Sequence, residues 1–151
     1  MIRRLSVRVC PAHRRAAALV EMALVLPVFL AVVLGIIEFG RGLWVGNMVT
    51  NAAREGARMA VLDGSSNTEV RQAIKDFLGS AVGATAATEA IISIAITPAP
   101  GNTNPGHECA NASTRDLIAV TVTMPFNSVA MVPGKYLAGT NLTGKSAMRH
   151  E

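Results

Sequence analysis

Residues 16–37 read AAALVEMALVLPVFLAVVLGII, and this stretch decides the fold. Apart from Glu21, Pro27 and Gly35 it is all Ala, Val, Leu, Ile, Phe and Met. Between Arg15 and Arg41 the only charged residues are Glu21 and Glu38. The run meets the roughly 20 residues that a helix needs to cross a bilayer core. A cleaved secretory signal also has a basic start and an apolar centre, but the centre is shorter and a small-x-small site follows it. Here Gly35-Ile36-Ile37-Glu38-Phe39 follows, so a retained helix is expected.

Upstream, Arg3, Arg4, Arg8, Arg14 and Arg15 crowd the first fifteen residues with no acid among them. A basic stripe can mark nucleic-acid binding. Directly before an apolar run it sets membrane orientation instead, with the basic side in the cytoplasm. The carboxyl-terminal part is then expected outside. Composition agrees with a chain that partly avoids water. Half of the 151 residues are hydrophobic and 16% are charged, against roughly 25% charged in soluble domains. Cys10 and Cys109 make no disulfide framework, and this orientation puts them on opposite sides of the membrane.

Three features inside the run bear on function. Pro27 removes one backbone hydrogen bond and predicts a kink, which membrane helices tolerate when neighbours satisfy the freed carbonyl. Gly35, Gly40, Gly42 and Gly46 either let helix backbones approach closely or reflect the ordinary frequency of glycine in membrane helices. Glu21 is the odd residue. A carboxylate at the centre of the apolar layer costs about 2.5–3.5 kcal/mol on insertion scales. It either stays wet at the interface or has a partner. A cut just upstream would place it one turn inside a new amino terminus. That amine, with a pKa of about 7.7–8.0, would be largely charged and able to pair with Glu21 of a neighbouring subunit.

Downstream the helical pattern continues. Trp44, Met48, Ala52, Ala53, Ala57 and Val61 recur at helical spacing. One helix is expected over residues 17–62, about 65–70 Å at 1.5 Å per residue, with Trp44 at the interface. Residues 63–67, Asp-Gly-Ser-Ser-Asn, end it. A second helix starts at Thr68, with Val70, Ile74, Phe77, Leu78 and Ala81 on one apolar face. Strands are expected at residues 90–97, 117–124 and 142–149. The connections at 98–114 and 125–139 read as irregular. The fold class is therefore α+β: a long transmembrane helix running into a small outer domain, with a second helix and an antiparallel sheet of about three strands.

No catalytic constellation stands out. His13, His107 and His150 are far apart in sequence. His107-Glu108-Cys109 are adjacent loop residues, which seldom converge on one ion. Neither a phosphate-binding glycine loop nor a serine elbow is present. The expectation is no enzyme, no metal, no cofactor, no small-molecule substrate and no nucleic-acid partner.

Several segments together resemble one family. Arg14-Arg15-Ala16-Ala17-Ala18-Leu19-Val20-Glu21-Met22-Ala23-Leu24-Val25-Leu26-Pro27 is similar to the amino terminus of TadE-like pseudopilins of the tight-adherence (Tad) pilus system. Ile36-Ile37-Glu38-Phe39-Gly40-Arg41 resembles the family's exit from the membrane. Thr50-Asn51-Ala52-Ala53-Arg54-Glu55-Gly56-Ala57-Arg58 resembles its signature beyond. The ending Ser146-Ala147-Met148-Arg149-His150-Glu151 is similar to common family endings.

The resemblance implies a type IV pilin-like protein with a prepilin-type leader at residues 1–16. A membrane-embedded peptidase would cut between Ala16 and Ala17, leaving Glu21 at the fifth mature position. Ala16 departs from the common family pattern, which has Gly before the cut. Residues 17–62 would be the long helix and 63–151 the extracytoplasmic domain. The implied function is a minor pseudopilin in the bacterial cytoplasmic membrane, with Glu21 and Pro27 in subunit assembly. Its implied partners are other pilins and pseudopilins, the Tad inner-membrane machinery, the prepilin peptidase and the lipid bilayer. The competing expectation is an uncleaved single-pass anchor for an extracytoplasmic binding module.

Overall fold

The computed structural model describes residues 11–130 and 137–150, with side chains from residue 16 onward. Arg3, Arg4, Arg8 and Cys10 of the basic leader lie outside the described residues, as do Glu151 and residues 131–136 of the last long connection.

Among the described residues helix α1 spans Pro11–Ala60, so it includes residues upstream of the expected 17–62 and ends slightly short of it. The helix runs on through Pro27. Contacts divide the chain between Ile37 and Glu38 into two compact units. In the first, every side chain from Ala16 to Val32 is exposed. One helix in the described chain is long and apolar enough to cross a membrane, and it starts at Ala16 near the N-terminus. Such a helix points to single-pass anchoring.

The second unit has the α+β architecture. The capping box of Ser66 and Glu69 starts α2, Asn67–Val82, one residue before the expected Thr68. The Ser66 hydroxyl accepts from the Glu69 N–H, and the Glu69 carboxylate accepts from the Ser66 N–H at 2.9 Å. Val70, Ile74 and Leu78 are buried as the periodicity predicts, and Phe77 packs partly against the same core. A short α3, Ala84–Thr88, follows; five residues are too few to carry a periodic signal.

Strands β1 (Ile91–Thr97), β2 (Leu117–Pro125) and β3 (Asn141–Arg149) form an antiparallel sheet in the order β1-β2-β3. Ile94 pairs with Val120, and Val120 in turn with Ser146. Alternation puts Ile92, Ile94 and Ile96 of β1 on the buried face, with Ile118, Val120, Val122 and Met124 of β2. Thr121 and Thr123 take the opposite face. The expected third strand exists, but Gly144 is its only buried residue.

The helices cover the buried face. Val45, Val49, Ala52, Ala53, Ala57 and Ala60 form the inward stripe of α1. This shifts the expected face by one residue near its start. Val45 and Val49 are buried, whereas Trp44 is 44% exposed and Met48 only half-buried. Close packing explains the shift. A side-chain carbon added at Gly144 would stand 2.6 Å from the Val49 carbonyl oxygen and 2.6 Å from the Thr50 Cα. Strand and helix backbone touch there, which leaves no room for a tryptophan or methionine. At Gly56 an added carbon would stand 2.4 Å from the Ile74 Cδ1, so α2 seats Ile74 on a glycine of α1.

Candidate functional site: the apolar helix and its exit

All four residues expected to act in processing or assembly lie on α1. Ala16, Ala17, Glu21 and Pro27 are exposed. The 16–17 peptide bond lies within helical backbone. Ala17 and Glu21 are four residues apart, hence neighbours on one face. Glu21 makes no hydrogen bond or ion pair among the described residues. Leu24, Val25, Val28, Phe29 and Val32 continue its side of the helix as a wholly apolar shallow depression. Pro27 cannot donate to the carbonyl of Ala23, four residues back.

The end of the apolar run holds Glu38, which the sequence reading named only as a charge and as part of the motif at the membrane exit. Glu38 is 1% exposed, and neither carboxylate oxygen has a hydrogen-bond partner among the described residues. Its neighbour in the next turn, Arg41, is half-buried and donates from Nε to the Val129 carbonyl. The signal available in the sequence was only a charge between apolar neighbours.

Asp116 was also missed. It is fully buried where β2 begins. Its carboxylate accepts from the Ala99 N–H at 2.8 Å, the Asn102 Nδ2 at 2.7 Å and the Ser113 N–H at 2.8 Å. These bonds hold its carboxyl below the ordinary carboxylate range. One side chain thus ties the 98–114 loop to the sheet. His150 pairs its backbone with the same place, donating to the Asp116 carbonyl at 2.9 Å.

The His107-Glu108-Cys109 trio does not converge. Cys109 is buried, His107 is exposed at φ 66°, and Asn67 holds the loop by accepting from the Cys109 N–H at 3.2 Å. Burial, with the nearby Glu108 charge, pushes the Cys109 thiol up. Among the described residues no three His, Cys, Asp or Glu side chains form a group that could hold a metal ion.

Fold and site together define, among the described residues, a protein with one apolar helix, exposed from Ala16 to Val32, followed by a small helix-on-sheet domain. Residues 16–58 match the model of the TadE-like protein family, so this segment of the chain is similar to that family. The match begins at the apolar run and ends in the buried part of α1, so it includes Glu21, Pro27, Glu38 and Gly56. No curated protein and no solved structure matches the chain.

Proposed function

We infer that the chain is a minor pseudopilin, a structural subunit for assembly of a Tad-type pilus or secretion apparatus. One observation carries this reading. Glu21 is an exposed carboxylate in an apolar helix, one turn after Ala17, and it has no partner among the described residues. Leaving it unpaired in a bilayer is costly. Cleavage between Ala16 and Ala17 by a prepilin peptidase supplies a partner. The new α-amino group is largely protonated near neutrality, and the amine of one subunit neutralises Glu21 of the next. The Ala23 carbonyl, to which Pro27 cannot donate, and the apolar depression then pack against neighbouring helices. In this reading residues 1–16 are the leader, facing the cytoplasm, and the sheet domain is extracytoplasmic.

The decisive measurement is intact mass and amino-terminal sequencing of protein extracted from native membranes with the peptidase active. A start at Ala17 is expected. A start at Met1 would favour the permanent anchor carrying a binding module. Glu21→Gln is expected to leave folding and membrane insertion intact and to abolish assembly with other pilins. Unchanged assembly would sink the pseudopilin reading.

A further inference from the structure

The first turns of α1 in the second unit are inside out. A helix in water buries its apolar side chains and exposes its charges. Here the carboxyl side chain of Glu38 is 1% exposed, while Phe39, Leu43 and Trp44 are 53%, 73% and 44% exposed. Arg41, the other charge in this segment, is half-buried and turned to the Val129 carbonyl. From Phe39 to Trp44 the surface therefore shows no exposed charge. Alongside runs a groove of about 310 Å³, floored by Gly42 and Gly46 and walled by Phe39, Leu43 and Leu137. Its polar lining comes from Asn47 and Thr50, further along the helix.

Length identifies the surroundings this surface suits. Residues 17–37 rise about 31 Å at 1.5 Å per residue, which fills the roughly 30 Å hydrocarbon layer of a bilayer. Phe39 to Trp44 add about 7–8 Å, close to the depth of one headgroup layer. Trp44 is the single tryptophan of the chain, and tryptophan is enriched at that depth. In sequence the segment directly follows the membrane-crossing run of the same helix, and Asn47 is its next exposed polar residue.

We propose that this face of the domain is a lipid-docking surface. Phe39, Leu43, Trp44 and the groove beside Leu137 are immersed in the interfacial layer of the adjacent leaflet, with phospholipid as the occupant. The water boundary then falls near Asn47 rather than at Glu38. The burial of Glu38 and Arg41 follows, since both would otherwise face lipid. The inference requires the membrane span but not the pilus role.

The native Trp44 is the probe, in the full chain reconstituted into phosphatidylcholine vesicles. Emission should be blue-shifted, insensitive to aqueous iodide, and quenched more by lipids brominated near the headgroup end of the acyl chain than by lipids brominated near the methyl end. Free quenching by iodide overturns the proposal. So does shielding from both iodide and brominated lipid, which would mean that protein covers the surface. Stronger quenching from the methyl end also overturns it, because Trp44 would then lie in the hydrocarbon core. A Trp44→Phe chain carrying Phe29→Trp separates the two levels of failure. Deep quenching at position 29 without shallow quenching at position 44 would leave the span intact and remove the docking surface. No quenching at either position would remove both.

Discussion

Phe29 and Phe126 are the same residue in two solvents. Phe29, in the first unit, is 58% exposed; Phe126, in the second, is 1% exposed. Leu24 and Leu78 repeat the contrast on two helices, at 72% and 0%. Apolar composition is thus common to both regions, but only one buries it within the chain. The apolar helix leaves its side chains for lipid or neighbouring helices, while the domain satisfies its own. Stability of the isolated chain should therefore be concentrated in residues 38–151, and the helix before them should be nearly indifferent to truncation.

Matched substitutions test that contrast most sharply. Phe126→Ala is expected to cost the domain about 3–5 kcal/mol, read as a drop in the unfolding midpoint of the detergent-solubilised chain. Phe29→Ala should leave the same midpoint unchanged. Equal losses at both sites would mean that the first unit is buried after all.

Glycines give the next effect. Gly144→Ala sets a methyl against the backbone of Val49 and Thr50, which cannot move aside as a side chain can. A cost of about 1–3 kcal/mol is expected. Gly35→Ala meets no atom within 4 Å and should leave thermal unfolding of the domain unaltered. Gly56→Ala should cost less than Gly144→Ala, because the end of the flexible Ile74 side chain can shift.

A smaller contrast is electrostatic and visible through pH. The Asp116 carboxyl sits lower in the folded domain than its ordinary value of 3.8. A depressed carboxylate adds stability that is complete above the unfolded pKa and is lost as pH falls through the folded one. The wild-type domain should hold its stability above about pH 5 and lose it as pH drops below 3.8. Asp116→Asn should flatten that acid limb in urea titrations, with a lower plateau at neutral pH.

Much of the architecture was legible in the sequence because periodicity carries it. The isoleucines of β1 and the Val-Thr alternation of β2 announce period-two burial, and Val70, Ile74 and Leu78 announce a helix face. Glu69 three residues after Ser66 also held the capping box. What escaped depends on contacts remote in sequence. Nothing in the sequence marked Gly144, and only its seat on Val49 shows why glycine is there. Asp116 was not picked out in the sequence, because its three donors come from residues 99, 102 and 113. The Trp44–Met48 face was read one residue out of phase, since helical spacing alone gives a stripe but not which neighbour meets the sheet.

The sequence by itself determined the apolar helix, the two helices and three strands, and the odd carboxylate at Glu21, because hydropathy and spacing are local properties of the chain. Only the tertiary structure decided which charges are withdrawn and which apolar side chains remain outside. Glu38 and Glu21 have the same chemistry and lie in similar apolar contexts. One is enclosed by the domain and the other is left exposed on the helix, because burial depends on which distant segments fold over a residue.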